Sequence, residues 1–453
     1  MKRADQDMLR GPLLGSIIRY TVPIILTSLL QLLFNAADLV VVGQYCGSVS
    51  VGAIGATGAL TNLMVNLFIG MSVGAGVTLA HARGSQEDEA VHRTVHTALP
   101  VALVGGAVLT VLGVSCSEML LRLMETPENV LELSAMYMRI YFGGIIFMMV
   151  YNFSASILRA VGDTKSPLIY LSIAGVINVV LNLFFVTVLH MNVAGVALAT
   201  TISQGFSAVA LVLVLMRRTD ACRFDWRKMR FHKTQLLKII RIGLPAGLQG
   251  SLFSISNVLI QSSVNSFGDV FISGNASAGN LEGFVYVGMN AFHQTAVNFV
   301  GQNVGAHQFK RVKKILGVCL ACSAAVGLVM GTAVRFFGPQ LLSIYITDSQ
   351  EAIGYGLIRL TYICQLYFLC GLMDVSTGAL RGMGASVSPM LISVLGVCGF
   401  RVLWIATVFQ KFHTPECLYL SYAVSWVITF LAQMLAFCLV YRQNIRRHAL
   451  CTE

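Results

Sequence analysis

The chain has 453 residues, of which 56% are hydrophobic and only 11% charged. That charged fraction is less than half of the roughly 25% usual for soluble globular domains, and the long continuous apolar runs are unlike the short alternating segments of an outer-membrane barrel. A net charge of +11 would suit nucleic acid, but the placement of the basic residues gives it another cause.

Runs long enough to cross a core of about 30 Å as about 20 helical residues fall at 16–42, 52–80, 94–115, 135–157, 167–190, 193–216, 239–264, 272–301, 315–337, 353–377, 388–410 and 418–441. They predict twelve transmembrane helices. Lys2, Arg3, Arg10 and Arg19 precede or open the first helix, and Arg83 and Arg93 lie between the second and third. Arg159 and Lys165 lie between the fourth and fifth, and nine basic residues fall at 217–241. Counted this way to the C-terminus, 25 of the 31 Lys and Arg fall on one side. Basic residues collect on the cytoplasmic face, so both termini are expected in the cytoplasm and no nucleic-acid partner is implied. The 42 glycines suit close helix approach within a membrane. The eleven cysteines are scattered, and the Cys319–Cys322 pair sits on an apolar helix, where small-residue packing explains it better than redox or metal chemistry. The first apolar run is too long for a cleavable signal peptide.

The sequence repeats itself at an offset of 222 residues. Arg19-Tyr-Thr-Val-Pro23 opens the first helix as Arg241-Ile-Gly-Leu-Pro245 opens the seventh, and Asn35 and Asn257 keep the register. The block Leu158-Arg159-Ala-Val-Gly162 through Ser166-Pro167 returns as Leu380-Arg381-Gly-Met-Gly384 through Ser388-Pro389. It reads as an inter-helix turn: Arg at the cytoplasmic headgroup level, Gly for a tight turn, Pro in the first turn of the next helix. Six helices per repeat is an even number, so the halves run parallel, with an expected pseudo-twofold axis along the membrane normal and a central cleft. The expected division is a six-helix lobe at 1–216, a basic cytoplasmic linker at 217–238 and a second six-helix lobe at 239–453.

Four stretches together give the chain a family likeness. They are Phe34-Asn-Ala-Ala-Asp38 through Gly43, the doubled Leu-Arg-x-x-Gly turn, Ile177-Asn178 through Asn182 with Ala194-Gly195 through Thr200-Thr201, and Val300-Gly-Gln302-Asn303 through Ala306 followed by Arg311. Over nearly its whole length the chain resembles the multidrug and toxic compound extrusion transporters. The resemblance implies a twelve-helix, two-lobed exporter in a bacterial inner membrane, expelling organic cations and amphipathic drugs against inward H⁺ or Na⁺. It needs no other cofactor, and a monomer in the lipid bilayer is expected. The family's first-helix Asp is associated with the coupling ion, and Asp38 holds that position. Some members carry Asn and then Asp four residues on in the fifth helix; here both positions, 178 and 182, are Asn. A two-carboxylate site is therefore not expected.

Asp38 also stands out on physical grounds. An acid in a membrane helix is costly and usually faces a polar interior, and its repeat counterpart is Ile260, so the helix does not need the acid to form. Asn178 and Asn182 share a helix face. With Thr200 and Thr201 they offer oxygens that suit Na⁺ or hydrogen-bond a carboxylic acid, or that join helices to one another. Glu282 and Asp374 are the second-half acids within or near spans, able to attract a cationic substrate or carry a second proton; with Arg401 they are the substrate-binding candidates, the alternative being a structural ion pair between these acids and Arg401. His293 reads as an interior histidine with its bonds satisfied, and Glu87-Asp88-Glu89 as a solvated loop.

Three other functions leave different marks. A flippase for a lipid-linked oligosaccharide needs several intramembrane basic residues for the pyrophosphate, and few are present. A membrane-embedded enzyme needs an HExxH-type motif or an acid pair, and neither is found. A channel builds its filter from repeated short loops.

Overall fold

The computed structural model describes residues 6–124, 126–346 and 349–452. Among these residues there is no strand. The helices in chain order are α1 (Leu13–Tyr45), α2 (Ser48–Gly84), α3 (Asp88–Leu123), α4 (Glu128–Gly143), α5 (Ile145–Ala160), α6 (Lys165–Leu183), α7 (Asn192–Met216), α8 (Lys233–Asn265), α9 (Asp269–Gly305), α10 (Phe309–Phe336), α11 (Gly338–Ser343), α12 (Gln350–Arg359), α13 (Tyr367–Gly382), α14 (Val387–Ser393), α15 (Phe400–Lys411) and α16 (Pro415–Thr452). Single π-helical turns at Phe184–Val188, Leu360–Cys364 and Val394–Gly399 continue α6 and α12 and join α14 to α15.

Among the described residues nine of these segments are long and apolar enough to cross a membrane. The bent pairs α4–α5 (46°) and α12–α13 (42°) make eleven. The twelfth is α9. Its Asn, Gln, Glu and His side chains lower its hydropathy, but its 37 residues reach about 55 Å at 1.5 Å per residue, and it stands where α2 stands in the first repeat. The architecture is therefore all-helical, with twelve spans in two parallel repeats of six.

The repeat is visible in the turns. The helices α4 and α12 begin 222 residues apart, as do α6 and α14. In the Leu-Arg-x-x-Gly block, Gly162 has φ +98° and Gly384 φ +82°, a region a side chain strongly disfavours. Pro167 and Pro389 each occupy the third position of the following helix, where a missing N–H goes unnoticed. Asp163 finishes the first turn: one carboxylate oxygen accepts from the N–H groups of Lys165 (3.1 Å) and Ser166 (2.9 Å), the other from the Ser166 hydroxyl (2.6 Å). The block departs from expectation at one residue. Arg381, expected at the headgroup level, is only 8% exposed, with Nη1 3.5 Å from His293 Nε2.

Among the described residues two compact units form, one from residue 6 with 26–251, the other from 7–25 with residues from 252 onwards. The chain changes unit inside α1 and inside α8. Small residues explain why the first half of α8 packs in the first unit. Gly70 and Gly74 of α2 face Gly243 and Gly247 of α8, two four-residue spacings that let backbones touch. A Cβ on Gly70 would lie 2.1 Å from Gly247 N, and one on Gly247 2.2 Å from Leu67 O. In the second unit, the start of α1 packs on α9 through larger groups. Thr21 and Thr295 share a hydrogen bond of 2.8 Å, and the rings of Tyr20 and Phe299 meet edge to face at 5.2 Å. Asn303 Nδ2 donates to Met8 O (3.1 Å), and Arg311 donates to the carbonyls of Arg10 (3.1 Å) and Gly11 (3.2 Å). Asn303 and Arg311 of that motif thus clasp the segment entering α1.

Candidate functional site

Each unit contains a polar cavity, and the two differ in chemistry. The cavity of the first unit has a volume of about 240 Å³. Helices α1, α4, α5, α6 and α7 line it. Asp38 projects from α1, and Asn178 and Asn182 lie on one face of α6, 4% and 0% exposed. Asn182 Nδ2 donates to Asp38 Oδ1 and to Asn178 Oδ1 (3.2 Å). The Thr200 hydroxyl of α7 donates to Asp38 Oδ2 at 3.3 Å and accepts from Asn178 Nδ2 at 3.3 Å. Four side chains from three helices therefore form a closed ring of hydrogen bonds around one carboxylate. Asn182 Oδ1 is left buried without a hydrogen-bond partner among the described residues. It is an acceptor beside a carboxylate, which suits a proton on that carboxylate or a hard cation drawn between the oxygens.

Thr201 lines the same cavity but does not reach the acid. Its hydroxyl donates to the Ala197 carbonyl one turn back (2.9 Å). Gln31 and Gln204, which the sequence pattern did not single out, also line the cavity. Among the described residues no group of three His, Cys, Asp or Glu side chains is placed to hold a metal ion. A cation here would rest on one carboxylate and neutral oxygens.

The second unit's cavity measures about 500 Å³. At the 222-residue offset Ile260 replaces Asp38, Phe400 replaces Asn178, Trp404 replaces Asn182 and Tyr422 replaces Thr200. The hydrogen-bonded ring has no counterpart at these positions. Glu282 and Asp374 both face this cavity, but Arg401 is not their partner. Glu282 is held by Arg359 in a two-pronged ion pair, Nε to Oε1 at 2.6 Å and Nη2 to Oε2 at 2.8 Å. Arg359 Nη1 also donates to Asn275 Oδ1 (2.5 Å), which accepts from the Tyr419 hydroxyl (2.9 Å). Seventy-seven residues of sequence separate Glu282 from Arg359, so no local spacing could have revealed the pair. Asp374 Oδ2 is buried without a hydrogen-bond partner among the described residues. The Asp374 main-chain carbonyl engages His293 Nδ1 at 2.6 Å, the satisfied interior histidine expected.

The π-helical turns sit beside these groups. One begins two residues after Asn182, one directly after Arg359, and one ends two residues before Arg401. Each inserts an extra residue into the helical register and re-aims the side chains next to it. Such turns are frequent at functional sites, and hydrophobic periodicity does not reveal them.

The comparisons with known proteins agree with one another. The family model MatE matches residues 23–184 and again 245–406, the same 222-residue repeat and more than half of the chain. Among curated proteins, the probable multidrug resistance protein YpnP of Bacillus subtilis is 27% identical over 390 residues, covering 86% of this chain and 87% of that one. YoeA of the same organism, also a probable multidrug resistance protein, is 28% identical over 391 residues and covers 84% of each. Among solved structures, the outward-facing conformation of a multidrug resistance MATE family transporter superposes with a TM-score of 0.90. It covers 98% of this chain and 100% of that one at 18% identity, a likeness of fold.

Proposed function

From the premise that this chain belongs to the MatE family of multidrug-efflux transporters, we propose that it is an antiporter, with Asp38 as the site where inward H⁺ or Na⁺ is exchanged against an outgoing organic compound. The observation that carries this reading is the ring around Asp38. One carboxylate is held by Asn182 and Thr200, next to an unsatisfied amide oxygen, at a position where the second repeat has Ile260. A group placed once in a duplicated scaffold, inside a polar cavity and at odds with the local apolar pattern, serves something other than folding. Ion binding at Asp38 favours one of two states of the transporter, and differential affinity for those states couples ion entry to substrate exit. The substrate class is organic cations and other amphipathic compounds. The protein works as a monomer in the cytoplasmic membrane, with both termini in the cytoplasm, where most of its Lys and Arg lie. It moves its substrate without chemical change.

The test is uptake of a fluorescent organic cation into inside-out vesicles, driven first by a pH gradient and then by a Na⁺ gradient. The reading requires that one gradient drive uptake and that Asp38→Asn abolish it. Uptake by neither gradient would set it aside.

A further inference from the structure

We infer that the second unit's cavity binds an aromatic carboxylate, with its anionic group on Arg401 and its ring against Tyr422 and Trp426. This goes beyond the exporter reading by adding an anionic ligand to the organic cations and amphipathic compounds named there, and it rests on that reading only for what the bound compound is for. The Arg401 residue is 5% exposed and lines the cavity. Its guanidinium lies over the Tyr422 ring at 3.9 Å from the centroid and near Trp426 at 5.7 Å. Nε donates to the Ser425 hydroxyl at 3.0 Å. Neither Nη1 nor Nη2 has a hydrogen-bond partner among the described residues. The cavity's two carboxylates do not neutralise it: Glu282 is taken up by Arg359, and no ion pair joins Asp374 to Arg401 among the described residues.

A buried guanidinium is normally paired, because an uncompensated charge in an apolar setting is costly. Here the aromatic faces and one hydroxyl fix its plane, and two terminal nitrogens point the free side of the fork at no protein acceptor. A carboxylate is planar and matches that fork with two parallel hydrogen bonds, a fit that a lysine ammonium does not offer. The rings of Tyr367, Tyr422 and Trp426, in a cavity of about 500 Å³, supply stacking surface for an aromatic body. The first repeat shows that the scaffold does not require this arrangement, since Val179, Thr200 and Gln204 stand where Arg401, Tyr422 and Trp426 stand in the second.

Binding is measured on the purified full-length protein in detergent by calorimetry, with no ion gradient. The probes are 2-naphthoate, the neutral 2-naphthamide and trimethyl-2-naphthylammonium. Wild type should bind 2-naphthoate at least about tenfold more tightly than the amide. Arg401→Gln should remove that preference and leave the amide affinity within about twofold, while Arg401→Lys should retain part of it. A preference that survives Arg401→Gln, or wild type binding the amide or the ammonium as tightly as the carboxylate, overturns the inference. If Arg401→Gln is not monodisperse, the wild-type ranking and Arg401→Lys decide. Naphthoate binding with no gradient-driven transport would leave this site standing and count against the exporter reading; transport lost in Asp38→Asn with naphthoate binding intact supports both.

Discussion

Replacing Asp38 by Asn removes the one carboxylate among the described residues lining the first cavity and almost nothing else. The side chains have the same shape. Asn Oδ1 still accepts from Asn182, and the new amide N–H can donate to the Thr200 hydroxyl, which has acceptor capacity beyond its present bond from Asn178. The ring can therefore close again and the fold should persist. What is lost is the capacity to take up one proton or to hold one Na⁺ by charge. With a single carboxylate, at most one proton per cycle is carried at this site, so each unit of ΔpH supplies about 1.4 kcal/mol, about a tenfold accumulation of substrate in a one-for-one exchange. In inside-out vesicles with the lumen one unit more acidic, wild type should approach that ratio, and Asp38→Asn should show no gradient-dependent accumulation at equal expression. If Na⁺ is the coupling ion, the same loss appears with a tenfold Na⁺ gradient. Accumulation by Asp38→Asn equal to wild type, under either gradient, would falsify the assignment of Asp38 as the coupling residue.

The two neighbouring threonines should behave differently. Thr200→Val removes a hydroxyl bonded to the carboxylate at 3.3 Å, about 0.5–1.5 kcal/mol, and should weaken the apparent affinity for the coupling ion by about two- to tenfold. Thr201→Val removes a hydroxyl bonded only to its own helix and should leave ion dependence within about twofold; ion titrations of transport compare the two. In the second unit, Glu282→Ala strands the buried Arg359 charge and should cost about 3–5 kcal/mol, read as a lowered Tm in detergent. The paired change Glu282→Leu with Arg359→Met should recover most of it, and a double variant no better than the single would show that the stranded Arg359 charge is not the cause of the loss. Gly247→Val places a side chain where even a Cβ would lie 2.2 Å from Leu67 O. It should destabilise the first unit by several kcal/mol, to be seen as loss of monodisperse protein, whereas the same change at Gly58, with open space around its Cβ, should be tolerated.

Much of the architecture was legible in the sequence because a membrane imposes it segment by segment. A span must be long, apolar and internally hydrogen-bonded, so each reads off its own twenty residues, and a parallel duplication leaves Arg, Gly, Ser and Pro in register at one offset. Asp38 was legible for the same reason, as a costly charge in an apolar run. The threonine contacts, the Glu282–Arg359 pair, the buried Arg381 and the aromatic seat of Arg401 were not, because each is a meeting of helices separated by tens to hundreds of residues, aimed in part by π-helical turns. The two unit boundaries within α1 and α8 were hidden as well. Composition marks where polar loops lie, but which unit a half-helix joins is decided by the surface it packs against. Here that means glycine on glycine in one unit, and paired threonines and aromatic rings in the other.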